Sequence, residues 1–474
     1  MRPIVAVLSL LILPVVIGRS VHAQRVSAGA HVCTLYDGGG VAAAGPALEP
    51  IELATLARRA MPSATTSTVR TAGRSATFIV QYTGFTPEAQ AAFQAAVDIW
   101  ADHLASPVPI RVQATFGPLG EFVLGSAGPF LVANFPAAPR QDTWYPFALA
   151  DALNGENLFP SEDDDPATEV DESFGPDIIA TFSSTNDRFD FGIGNQAPQG
   201  RFDFLTIVLH ELGHGLGFVG SGDVDDGEVN LGTNPPNREE CEGLQGTGCY
   251  GARAGSGEVL PYIFDRFVED SQGTNLLQQS IYPQNSQTLG DLLQSEDLFV
   301  NAPTVLRVNL GERPPIWAPA QFEGGSSFSH WDEIVFSRGT PAALMTPQLA
   351  LAEFYRDPGS VTCAYFQDMG WSLGAGCELL VEPPPEPGTF ELASAGPNPF
   401  RETTAFELAV GDEQVIQVTL YDTRGRRVQV VRSERVDPGT VRLVVDGTGL
   451  AAAAYVLVVE GEDVREVRPL VRVR

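Results

Sequence analysis

Two histidines and a glutamate carry the clearest chemical signal in this chain. Between residues 201 and 220 it reads RFDFLTIVLHELGHGLGFVG. His210 and His214 are four apart, so on a helix they project from one face and can grip a single metal ion. Glu211 stands beside them, where a carboxylate can take the proton of an attacking water. Imidazole ligands next to an acid/base carboxylate suit Zn2+, a redox-inert ion that serves hydrolysis. Histidine is scarce here, six in 474 residues, which makes a chance grouping of this kind rare. The competing reading is a buried helix whose two histidines merely satisfy hydrogen bonds.

The helix itself is legible. Phe204, Leu205, Val208 and Leu212 recur at helical spacing, and Asp203 can cap the start. A catalytic zinc site takes three protein ligands and keeps one position open. The remaining histidines are His22, His31, His103 and His330. His103 closes a helix expected over Glu88–Leu104, as a helix-terminal cation or a plain surface residue. His330 lies in Ser326-Ser327-Phe328-Ser329-His330-Trp331-Asp332-Glu333, ahead of Ala343-Leu344-Met345-Thr346-Pro347. Its rival as third ligand is a carboxylate from Asp223, Asp225, Asp226 or Glu228.

These pieces resemble the metzincin zinc metalloproteases. The pattern HExxHxxGxxH matches through Gly217, where glycine lets the chain turn after the helix, and fails at Gly220. The combination of His210, Glu211, His214, Gly217 and Phe218 with Ser329-His330-Trp331 and Leu344-Met345-Thr346-Pro347 is similar to the leishmanolysin-like branch. It also looks like exported bacterial proteases that share the HELGHGLGF helix. The resemblance covers roughly residues 75–373. It implies an α+β metzincin-type zincin domain in which His210, His214 and His330 bind one Zn2+. It further implies Glu211 as general base and Met345 as the floor of the site. The strand Asp177–Phe182 would edge the cleft and pair with an extended protein or peptide substrate. Cys33 could reach the metal as a thiolate from a pro-segment; the other reading is an unpaired or externally paired cysteine.

Organisation along the chain fits export. Arg2, the apolar run Ile4–Ile17 and Val21-His22-Ala23 read as a signal peptide over 1–23, with an N-terminal anchor as the other reading. No later run is long enough for a permanent membrane span. Residues 24–74 are expected to be a pro-segment or extension, and 75–380 the metalloprotease domain with a loop-rich insertion at 221–329. Export makes the five cysteines readable. Cys241 with Cys249, and Cys363 with Cys377, are expected to form local disulfides. A Pro-rich linker over 381–395 leads to a small immunoglobulin-like β-sandwich over 396–474. That tail resembles the type IX secretion sorting domain, through Pro397-Asn398-Pro399-Phe400, Leu420-Tyr421-Asp422, Gly425-Arg426-Arg427-Val428 and the final Val471-Arg472-Val473-Arg474. The resemblance implies the secretion machinery as partner and a secreted or surface-attached product.

Charge sets the outer bounds. The chain carries 59 acidic and 29 basic residues, every base an arginine, for a net charge of -30. That excludes nucleic acid and anionic lipid as electrostatic partners. Residues 390–474 hold 13 acids and 11 arginines, so the excess lies upstream, with 46 acids and 18 arginines. It suits solubility and a salty medium more than a partner. The acidic runs at 161–172 and 223–228 could bind Ca2+ but lack a Gly-spaced ligand loop, so a solvated loop is the simpler reading. Two other functions use the same residues: an adhesin on a degenerate zincin fold, and a zinc amidohydrolase acting on non-protein amides. An adhesin has no need of Glu211.

Overall fold

A computed structural model describes residues 75–119, 123–158, 175–225, 241, 245–377, 379, 388–401 and 403–473, the last without 437 and 463. It also describes the backbone of strands at 24–27, 33–37 and 65–69. The expected signal peptide, the acidic run at 161–172, Asp226 and Glu228 lie outside the described residues, as does the Pro-rich stretch 381–387. Up to residue 377 the chain is mixed α/β. From residue 390 it is all-β, with antiparallel sheets.

The strands that matter are β1 (Gln24–Ser27), β2 (Cys33–Asp37), β3 (Thr65–Val69), β4 (Phe78–Thr83), β5 (Ile110–Gly117), β6 (Val123–Pro129), β7 (Leu131–Asn134), β8 (Tyr145–Pro146), β9 (Ile178–Ser183) and β10 (Gln348–Leu349). Seven of them form one sheet in the order β10-β2-β6-β9-β5-β4-β3. β4, β5 and β9 run parallel, and β6 is antiparallel to β9. Strand β1 pairs with β7 in a smaller sheet. Three strands of the expected pro-segment, 24–74, are therefore paired into the two sheets of the α/β unit. The strand read as Asp177–Phe182 exists as β9, but it does not edge the sheet. Both its sides are paired, to β5 and to β6, so no peptide can add to it.

Helix α1 (Pro87–His103) crosses from β4 to β5, as parallel strands require. Thr86 caps it by accepting from Ala89 N, and Pro87 occupies the first turn. Ala89, Ala92, Phe93, Ala96, Val97 and Trp100 form its buried face. That face packs on α3 (Phe204–Leu216), the helix bearing the HELGH run. Between them in sequence comes the short α2 (Phe147–Asn154). Every residue of α3 is buried. Each fully buried Leu, Ile, Val or Phe contributes about 1.5–3 kcal/mol, enough together to carry three polar side chains into the interior. Asp203 caps α3 as expected, accepting from Thr206 N at 2.7 Å.

The stretch 221–329 is more than a surface insertion. Phe264, Phe267, Leu289, Leu293 and Phe328 belong to the same core as α1 and α3. It contains α4 (Gln287–Leu293) and α5 (Pro303–Val308). Helix α6 (Ser360–Met369) follows it. The buried Asp265 carboxylate ties the stretch to the end of the HELGH segment, accepting from Ser221 N, the Ser221 hydroxyl and Tyr262 N. Both expected disulfides are present, Cys241–Cys249 and Cys363–Cys377.

The C-terminal region has its own core of Leu392, Phe406, Leu408, Ile416, Val418, Leu420, Leu443, Leu457 and their neighbours. One sheet joins β11 (Phe390–Ser394), β12 (Thr403–Val410) and β15 (Gly439–Asp446). The other orders β14 (Arg427–Val436), β13 (Gln414–Asp422), β16 (Ala453–Glu460) and β17 (Arg465–Arg472). The linker expected over 381–395 therefore ends earlier, because Phe390–Ser394 is a strand paired with β12. Its alternation of Phe390 and Leu392 with exposed residues is the period-2 signal. No helix among the described residues is long and apolar enough to cross a membrane.

Candidate metal centre

His210, His214 and His330 come together, although His330 is 116 residues from His214 in sequence. Their Nε2 atoms lie 2.9, 3.1 and 3.2 Å apart, pair by pair. All three rings are buried. Each Nδ1 faces a main-chain carbonyl: Leu344 O at 2.5 Å from His210, Phe218 O at 2.7 Å from His214 and Ser326 O at 2.7 Å from His330. A carbonyl only accepts, so each Nδ1 carries the proton, and a neutral ring then leaves Nε2 as a bare lone pair. Burial pushes the His210 imidazole down to about 4. Burial, then the neighbouring rings, holds His214 and His330 well below the ordinary histidine range. The rings are therefore neutral at pH 7.

Three lone pairs aimed at one point repel unless a cation lies among them. Zinc–imidazole bonds of roughly 2.0–2.1 Å at tetrahedral angles set nitrogens about 3.3 Å apart, close to the spacing here. The residues fit a metal ion, and the carbonyl partners are the kind that fix the tautomer of metal-binding histidines. Among the described residues no other group of three His, Cys, Asp or Glu converges this way.

Local sequence explains each placement. After His214 the chain turns at Gly217, whose φ of +123° disfavours a side chain. That turn brings Phe218 O back to the His214 ring. Leu344 O reaches His210 from the short 3-10 turn Pro341–Met345, so the Leu-Met-Thr-Pro segment holds a ligand by its backbone. Met345 itself packs against the helix at Gly213. A Cβ on Gly213 would come 2.8 Å from Met345 Sδ and 3.3 Å from Trp100.

Gly220 has a physical reason for not being a ligand. A Cβ there would lie 2.3 Å from Phe328 Cδ1 and 2.5 Å from Phe328 O. The loop that delivers His330 fills that space, and Gly220 N donates to Ser329 Oγ at 3.1 Å. Phe328 adopts φ +66°, a left-handed conformation that costs a bulky residue energy. The strain sits two residues before His330. The carboxylate rivals do not join the rings: Asp223 pairs with Cys249 in a short antiparallel bridge, and neither it nor Asp225 is in the histidine group.

Glu211 is fully buried. It faces β6, where a Cβ on Gly125 would come 3.2 Å from Glu211 Cγ and 2.9 Å from Phe182. The small-residue run Gly125-Ser126-Ala127-Gly128 thus lets β6 approach α3 closely, and this strand went unread in the sequence. Its signal was the run of small residues. The three carbonyl partners also went unread, because main-chain groups leave no trace in composition. His103 is the other correction. It does end α1 but is buried, with Nδ1 facing Ile99 O at 2.7 Å and Nε2 3.7 Å from Asp357. Cys33 lies in β2, of which only the backbone is described.

No protein-family model matches this chain, and no curated protein matches it.

Proposed function

We propose that this protein is a zinc-dependent endopeptidase with a metzincin-type zincin catalytic domain. The observation that carries the reading is the convergence of three neutral, carbonyl-anchored imidazoles on the helix that also bears Glu211. Three imidazole nitrogens suit zinc better than calcium or magnesium, which take oxygen ligands. When bound, zinc would polarise a substrate carbonyl and make water a better nucleophile near neutral pH. His210, His214 and His330 would hold it. Glu211 would accept the proton of the attacking water and return it to the leaving amine. Burial keeps the Glu211 carboxylate beside low-dielectric walls, where charge–charge effects are strong.

The N-terminal segment, the two disulfides and the C-terminal sandwich support an exported enzyme, with the sandwich as a type IX sorting module. Cleavage of a mixed peptide library tests the reading. Hydrolysis that stops with a zinc chelator and returns with added zinc is expected. Hydrolysis indifferent to the chelator, or of non-peptide amides only, would overturn it.

A further inference from the structure

We propose that Glu333 is a positioning residue for the third ligand: its side chain clasps the loop that delivers His330 to the turn that anchors His210. The inference rests on the metal-site reading of the three histidines. That loop is held on two sides. On one side main-chain bonds suffice. Phe328 N donates to Trp317 O at 2.8 Å, Trp317 N to His330 O at 2.9 Å and Asp332 N to Pro315 O at 3.1 Å. On the other side, among the described residues, a single main-chain bond reaches the turn, from Trp331 N to Met345 O at 2.9 Å. Glu333 adds the second tie. Its carboxyl lies within hydrogen-bonding reach of the Thr346 hydroxyl and of the N–H of Gln348, the first residue of β10.

This side chain is poorly placed for stability. Its Oε2 is buried and has no hydrogen-bond partner. The buried Glu353 carboxylate and that of Asp332 both act on it. Burial first, then those two carboxylates, push the Glu333 carboxyl up, toward its neutral form. A carboxyl in such company costs the fold free energy. Local conflicts of this kind persist where a site needs a particular geometry.

Proton counting says what the group must do. The Thr346 hydroxyl has one proton and gives it to Ala343 O at 2.9 Å. Toward Glu333 it can only accept, whereas the Gln348 N–H can only donate. The clasp therefore needs a side chain that donates to one and accepts from the other. A neutral carboxylic acid does both, an amide does both, and a carboxylate only accepts. Glutamine is thus the conservative replacement and alanine the disabling one.

The test uses the full chain stripped of metal. Zinc affinity is read by competition with a chelator, ligand geometry by the visible absorption bands of bound Co2+, and stability of the metal-free protein by its urea midpoint. Partners outside the ligand shell typically alter metal affinity about ten- to a hundredfold. Glu333→Ala should weaken zinc by that factor and change the Co2+ bands, with a metal-free urea midpoint equal to or above wild type. Glu333→Gln should keep the wild-type affinity and bands. Wild-type affinity and bands in Glu333→Ala overturn the inference. So does a metal-free midpoint that falls in step with the zinc loss, because Glu333 would then be an ordinary support of the fold. Glu333→Gln behaving as Glu333→Ala overturns it too. Wild type that takes up neither ion refutes the metal-site reading, and the clasp with it. Wild type that binds both, beside an unaffected Glu333→Ala, refutes the clasp alone.

Discussion

Replacing His330 by alanine puts the third ligand to a quantitative test. The three Nε2 atoms form a triangle with sides of 2.9–3.2 Å, so each ring supplies an equivalent donor. Structural zinc held by four protein ligands binds with about 10–16 kcal/mol, or about 2.5–4 kcal/mol per ligand. Losing one of three should weaken zinc about a hundred- to a thousandfold. Water can refill the vacated position, so the lower end is the better expectation. The assay is competition against a chromogenic chelator, with zinc content measured after gel filtration. His330→Ala should emerge with well under one equivalent, while Asp223→Ala keeps its zinc. If His330→Ala retains a full equivalent at unchanged affinity, the convergence of these rings does not reflect a metal site.

Three further outcomes follow from the packing around the site. Gly220→Ala puts a methyl into the backbone of Phe328, and should cost about 1–3 kcal/mol in thermal unfolding together with lower zinc content, since the displaced loop carries His330. Arg356 grips the buried Asp203 with both Nη atoms, at 2.7 and 2.8 Å, so Arg356→Ala strands a carboxylate at the head of α3. A loss of about 3–5 kcal/mol in urea unfolding is expected, and a loss under 1 kcal/mol would show that water compensates. Burial pushes the Asp265 carboxyl up to about 6, although the hydrogen bonds from Ser221 and Tyr262 oppose the shift. Its folded form holds a proton that the unfolded chain releases near the ordinary value of about 4. Its stabilising contribution is therefore complete below about pH 4, is lost as pH rises through about 6, and is flat above. Wild type minus Asp265→Asn should trace that curve in urea unfolding from pH 4 to 8.

The site was half legible in the sequence, for a definable reason. His210, Glu211 and His214 share one helix, and helical spacing fixes their relation without tertiary information. Asp203 and Gly217, which bound that helix, follow from local capping chemistry, and the helix was found where they put it. His330 comes from far along the chain, and only its company with the Leu344–Pro347 turn marked it. Why it is needed became visible with Phe328, which fills the space beside Gly220. Sheet order was not legible. Strands β6 and β9 are both short, and nothing local says that each is flanked on both sides. The strand expected at the cleft edge, Asp177–Phe182, is an interior strand of the sheet. That residues 24–37 pair into the sheets was hidden for the same reason, because β2 and β10 join segments more than 300 residues apart in sequence.

The most direct measurement is peptide hydrolysis by Glu211→Gln, with zinc content determined on the same sample. Glutamine keeps the size and burial of the side chain but cannot accept the water's proton. Loss of a general base is worth about a hundred- to ten-thousandfold in rate. The account predicts a loss of that size in kcat with one equivalent of zinc retained and KM little changed. Wild-type turnover in the zinc-loaded Glu211→Gln protein would contradict it.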